Sequence, residues 1–189
     1  MYAILHEGKS IDRGFFELLL DKLNLDKDEI SFLGMGSKSN FFKIDSTRYK
    51  DLMLDIKIEK ITKILFVLDA DYEGNKNYDG YTNTLEQIEK IQKELNIRDI
   101  SDTFIAYDMN SEKKEGYLES LILSSLPKDQ EACIKSFLEC SEFKSKTHDK
   151  SIFNIIYKNA YPKAPYNFEH ENFNELKTKL KNLFKGTKI

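Results

Sequence analysis

Apolar positions along this chain switch between two spacings, and the switches predict its elements in order. Tyr2 to Leu5 is a short apolar run that stops at His6-Glu7-Gly8-Lys9, a strand followed by a polar turn. Phe15, Phe16, Leu18, Leu19, Leu20 and Leu23 then recur at the spacing of one helix face. Ile30-Ser31-Phe32-Leu33 predicts a second strand, closed by Gly34-Met35-Gly36-Ser37, and Asn40 to Ile58 predicts a helical stretch. Lys63 to Leu68 is apolar nearly throughout, as expected of a central parallel strand covered on both faces. It runs into Asp69-Ala70-Asp71 and a polar loop with Gly74, Asn75, Asn77, Asp79 and Gly80. From Thr82 to Leu95 the helical spacing returns, with Leu85, Ile88, Ile91 and Leu95 on one face. Thr103 to Tyr107 predicts a fourth strand and Gly116 to Leu126 a helix. After Pro127 the chain reads as helical or irregular, broken at Pro162 and Pro165, with a Lys-rich final helix from Phe173 to Lys185.

Strands alternating with helices predict an α/β fold, an open parallel four-stranded sheet of Rossmann-like type with right-handed crossovers. Residues 1–126 would form the sheet domain and 127–189 a C-terminal helical extension packed on it. Phe153, Ile155, Ile156, Phe168 and Phe173 in that extension need burial. In such sheets ligands sit beyond the carboxyl ends of the strands, where strand order reverses. With the order 2-1-3-4, strands one and three are neighbours at that point. Glu7, Asp69 and Asp71 would then converge on one crevice.

Composition narrows the class. The 189 residues include 32% charged and 40% hydrophobic side chains, with a formal net charge of −3, which describes a globular chain rather than a disordered tail. From Ser141 onward ten Lys and no Arg face five acids, a balance of +5, which leaves −8 on the first 140 residues. An acidic front with a basic rear argues against a uniformly basic DNA-coating protein, but does not exclude a nucleic-acid enzyme with a basic rear and an acidic metal site. No apolar run approaches the roughly 20 residues of a membrane helix. The start lacks the basic lead-in of a signal peptide, and two Cys seven residues apart make no disulfide framework. Those features predict a cytoplasmic protein.

Asp69 and Asp71, two apart at a strand end, would point to the same side and share an ion. Packed carboxylates repel unless they share protons or a cation. Neutralising one of them by Asp71→Asn should therefore be neutral or stabilising without metal. Oxygen-only ligation favours a hard cation, Mg²⁺ with Mn²⁺ as an alternative, completed by substrate phosphate. Such an ion polarises a phosphoryl oxygen and orients the attacking group.

Glu7-Gly8-Lys9 after the first strand and Asp69-Ala70-Asp71 after the third resemble the signature of the Toprim domain. Topoisomerases, DnaG-type primases, OLD-family nucleases and recombination-repair proteins share that domain. The resemblance covers roughly Met1 to Leu126. The stand-alone architecture is similar to a bacterial Toprim-related family in which a Gly-x-Leu-Glu segment follows the last strand, here Gly116-Tyr117-Leu118-Glu119. The resemblance implies that Glu7 is the catalytic acid/base or a metal-associated glutamate, that Asp69 and Asp71 ligate Mg²⁺, and that Glu119 is a further acidic metal-site residue. It implies a nucleic-acid substrate, DNA more than RNA, and nuclease-like phosphodiester chemistry. The competing class is a non-catalytic Toprim-like module within a defence or repair complex, whose protein partner supplies DNA binding. Related proteins often carry an acid four residues after the Glu. Here Ile11 holds that place and Asp12 follows, a better helix N-cap than site residue.

Other motifs carry less. Gly8-Lys9-Ser10 resembles the end of a phosphate loop, but Ala3 stands where that loop requires Gly. Leu65 to Asp71 also resembles the first motif of haloacid-dehalogenase-type phosphatases, with Asp69 as nucleophile and Asp71 as general acid. Glu73 and the earlier Glu-Gly strand depart from that pattern. His6 reads as a packed strand-end side chain beside Glu7, and His148 and His170 have no zinc spacing. Cys133 and Cys140 share a helix face and read as small core residues. Tyr72, Tyr78 and Tyr81 read as loop-lining rather than nucleophilic. Gly34-Met35-Gly36-Ser37-Lys38 is a strand-to-helix turn whose amides could hold phosphate. Lys177, Lys179, Lys181, Lys185 and Lys188 read mostly as a solvated face, with nucleic-acid contact as the lesser reading.

Overall fold

The apolar runs pair side by side in a single parallel sheet. The computed structural model describes residues 1–8, 10–74, 79–141 and 166–185. The strands are β1 (Tyr2–His6), β2 (Ile30–Gly34), β3 (Lys63–Asp69) and β4 (Ser101–Ala106), in the order β2-β1-β3-β4. β1 sits between β2 and β3, with Tyr2 opposite both Ile30 and Lys63. Strand order therefore reverses between β1 and β3.

Strand alternation sorts the core into two layers. Ile4, Leu65, Val67, Phe104 and Ala106 face one side. Ala3, Leu5, Ile64, Phe66 and Leu68 face the other. Helix α1 (Ser10–Lys22) covers the first side with Phe15, Phe16, Leu19 and Leu20. Helices α2 (Lys38–Phe41), α3 (Thr47–Lys57) and α4 (Tyr81–Glu94) cover the second through Phe41, Tyr49, Leu52, Ile88 and Ile91.

The expected helix over Asn40 to Ile58 is two helices. Ser46 takes the N-cap of α3, its Oγ accepting from the Tyr49 N–H at 3.4 Å, which restarts the helix. The Tyr49 hydroxyl donates to Phe41 O at 2.7 Å and ties the two pieces together. The expected Gly116–Leu126 helix shortens to α5 (Leu118–Leu123). Gly116 has φ +127°, outside the helical region, and a Cβ there would meet Asp108 N and Ser120 Oγ at 2.9 Å, so only Gly fits.

Helices α6 (Lys128–Cys140) and α7 (Asn174–Phe184) follow. Helix α6 turns Ile134, and the partly buried Leu138, to the core, whereas Cys133 and Cys140 are exposed and not the core residues their spacing suggested. Helix α7 buries Leu176, Leu180 and Leu183 against the β3–β4 side of the first layer, in one cluster with Leu65 and Phe104. Full burial of each Leu stabilises by about 2 kcal/mol. Phe168 and Phe173 join that cluster, stacked edge-on to Phe15 and tilted beside it at 5.4 and 6.0 Å. One core thus spans both sides of the expected 126/127 division. The lysines of α7 are not all a solvated face. Lys179 Nζ bonds Asp102 Oδ1 at 2.8 Å, and Lys177 Nζ bonds Phe168 O at 3.0 Å.

Phe153, Ile155, Ile156, Asn75, Asn77, Tyr78, His148, Pro162, Pro165 and Lys188 lie outside the described residues. Among the described residues, no helix is long and apolar enough to cross a membrane.

Candidate functional site at the strand-order reversal

The reversal point lies where β1 and β3 end. There Glu7 Oε1 accepts the Asp69 N–H at 2.9 Å, which joins the two strand ends directly. Asp69 closes β3, and its Oδ1 accepts the Leu118 N–H at 2.8 Å. That amide is the first of α5, where a carboxylate meets unsatisfied donors and the positive end of the helix. Asp69 is therefore held from the layer of α1, α5 and α7.

Asp71 is held from the opposite layer. It lies beyond the strand with φ +59°, a left-handed conformation that Asp tolerates better than most residues. Its backbone pairs with Gly116 in an isolated antiparallel bridge, N–H to O at 2.8 and 3.3 Å. Its Oδ2 lies 3.1 Å from Lys38 Nζ, the first residue of α2. The left-handed turn is why Asp69 and Asp71 take their partners from different sides of the sheet, rather than simply projecting together as strand alternation implied.

Lys38 is the residue that sequence reasoning missed. Only 5% of its side chain is exposed, and Nζ also donates to Ala70 O at 2.7 Å. A buried ammonium needs a partner charge and hydrogen bonds, and the segment Ala70–Asp71 supplies both. The signal was present in the position: a Lys immediately after the turn that ends the strand neighbouring β1.

The electrostatics follow from burial. Desolvation, reinforced by the Asp69 charge, holds the Glu7 carboxyl well above its ordinary range. The Asp69 amide hydrogen bond opposes that shift; the Asp71 charge adds to it, and Lys38 offsets part. The expected repulsion among three carboxylates is thus partly relieved by a cation from the chain itself. Asp71→Asn would take from buried Lys38 the carboxylate at 3.1 Å, a loss that opposes the expected relief of carboxylate repulsion.

The remaining candidates sit around this cluster. Glu119 is half-buried in the first turn of α5, next to the Leu118 amide that bonds Asp69. Asp12 is the third residue of α1, because the helix begins at Ser10; it is not an N-cap. His6 is buried, edge-on to Phe32 at 6.4 Å, as a packed residue. Tyr72 follows Asp71 and packs edge-to-face on Tyr117 at 5.3 Å. Tyr81 packs on Tyr107 at 5.5 Å, with Lys114 Nζ over both rings at 5.0 and 5.8 Å. Burial first, then the Glu175 charge, raises both phenols above their ordinary range.

Among the described residues, no group of three or more His, Cys, Asp or Glu is gathered as a ready metal cage. The donor chemistry is nonetheless of the right kind for a hard cation. Carboxylate oxygens such as those of Asp69 and Asp71 are the ligands such a cation takes. No family model matches this chain, and neither the curated proteins nor the solved structures contain a match to it.

Proposed function

We propose that the Glu7–Asp69–Asp71–Lys38 crevice carries out Mg²⁺-dependent phosphodiester chemistry on nucleic acid, nuclease-like and Toprim-like in arrangement. The observation that carries this reading is the direct bond from the Asp69 amide to Glu7 across the strand-order reversal, which gathers acidic groups where open α/β sheets bind ligands. Asp69 and Asp71 would hold the ion, with Glu119 as a further acidic group. Bound there, Mg²⁺ supplies charge stabilisation at a phosphoryl oxygen. Glu7, with its carboxyl raised by burial and Oε1 engaged by an amide, is suited to carry a proton on Oε2 and deliver it to a departing oxygen. Lys38 tempers the negative field that would otherwise repel a phosphate.

Lys38 also favours a second reading. Because the chain already supplies a counter-ion to Asp71, the crevice is compensated without metal, which suits a non-catalytic Toprim-like module acting beside a protein partner. Incubating the purified chain with plasmid and single-stranded DNA, in Mg²⁺ or in chelator, separates the two. Cleavage that requires Mg²⁺ and disappears in Glu7→Gln and Asp69→Asn supports catalysis. Intact Mg²⁺ binding without cleavage supports the module, and the absence of any Mg²⁺ response removes the metal reading.

A further inference from the structure

Immediately after Asp71 the chain holds an aromatic ring in solvent. Tyr72 is 44% exposed, a large ring one residue beyond Asp71. Exposed tyrosines are common; this one is distinguished by its mounting. On one side Asp71 is bridged to Gly116 by two backbone hydrogen bonds. On the other, the Glu73 N–H donates to Glu115 Oε1 at 2.9 Å. Behind it Tyr117 supports the ring edge-to-face, interplanar angle 73°. The backbone is anchored on both flanks and the ring is braced, so little conformational freedom is left to lose on binding.

We infer that Tyr72 is a stacking platform for an unpaired nucleobase, and that the strand this crevice takes is single-stranded. The inference rests on the nucleic-acid reading above and specifies its substrate. Tyr72 directly follows Asp71 in the chain, so a strand stacked on the ring runs close to the proposed metal site. A duplex buries its base faces in its own stack, whereas a single strand offers them to an aromatic side chain. The neighbouring loop adds cations. Lys113 Nζ comes within 4.0 Å of Glu73, and Lys114 lies over Tyr81 and Tyr107. With −8 on the first 140 residues, phosphate attraction is weak here, and stacking on the ring provides much of the grip.

The chain contains no Trp, so Tyr72→Trp introduces one reporter indole at the platform. The titration uses an oligothymidylate of about twelve residues, within the usual span of single-strand sites, in chelator so that nothing is cut. The expected result is saturable quenching by the single strand and little by a blunt duplex of equal length. Leu54→Trp, on the exposed side of α3, should not respond. In wild-type background, Tyr72→Ala should weaken binding of a labelled oligonucleotide, read by anisotropy, about tenfold, while Tyr72→Phe binds as wild type. Oligonucleotide binding with a silent Tyr72→Trp, or equal quenching by duplex, overturns the platform and leaves the metal chemistry standing. No binding of any nucleic acid overturns both. Quenching without Mg²⁺-dependent cleavage keeps the platform and removes catalysis.

Discussion

The two ends of β3 each meet a lysine, and the two lysines do different work. At the amino end Lys63 Nζ donates to the carbonyls of Asn182 and Lys185, the last turn of α7. That is a half-buried cation on unsatisfied carbonyls at the negative end of a helix, worth a few tenths of a kcal/mol to about 1 kcal/mol. At the carboxyl end Lys38 crosses from α2 to Ala70 and Asp71 with almost no exposure. There a charge has been taken out of water, and the attraction to Asp71 must offset a desolvation cost of several kcal/mol. One end is finished by ordinary capping. The other retains buried, mutually perturbing charges, the condition under which a cleft is suspected of function rather than structure.

The strongest test of that contrast lies under the amino end. Leu180→Ala removes a fully buried side chain between α7 and the sheet. Chemical denaturation should show a loss of about 3 kcal/mol, identical with and without Mg²⁺. A loss below about 1 kcal/mol would mean that α7 is an appendage and that β3–β4 is stable without it.

At the carboxyl end, Asp71→Asn should lower stability by about 2 kcal/mol, less than a fully buried pair because 27% of the Asp71 side chain reaches solvent. Asn accepts the left-handed backbone as readily as Asp, so the loss reports charge and not strain. Lys38→Met in the same background should recover part of it. A neutral Asp71→Asn would instead mean that carboxylate repulsion outweighs the Lys38 pair.

Glu7→Gln should change the pH dependence. The native carboxyl is raised above its ordinary value of 4.5, so the folded state binds the proton more tightly than the unfolded state does. Its stabilisation is fully present below about pH 4.5 and is lost as pH rises through the native value. Gln keeps the acceptor for the Asp69 amide without the charge. Melting curves in chelator should place the variant above wild type at pH 8, with the gap closing towards pH 4. A variant less stable at every pH would assign Glu7 a favourable ionised role. The smallest effect belongs to Lys63→Met, which should cost under about 1 kcal/mol and shrink further in high salt.

Much of this was legible along the chain. The Lys63–Asp69 run, with its uninterrupted apolar character, identified the central strand, because only a strand covered on both faces can omit polar alternation. From that strand and Tyr2–His6, the position of Glu7 and Asp69 beside the reversal point followed from topology alone. Lys38 was not legible in that way. Its side chain reaches a segment more than thirty residues later, and no local period records such a contact. The exposed faces of Cys133 and Cys140 were hidden for a related reason: equal spacing says that two residues share a face, but not which way that face points.

Sequence by itself determined the strands, the alternation of their faces and the acidic groups at the strand ends, because these depend on periods of two and 3.6 residues that each segment carries alone. Tertiary structure decided what neutralises and surrounds those groups. It brought α2 to Asp71 and α5 to Asp69 from opposite layers, turned Asp71 left-handed against Gly116, and laid α7 over β3 and β4. Those outcomes depend on distances between residues far apart in the chain, which are set only when both layers close on the sheet.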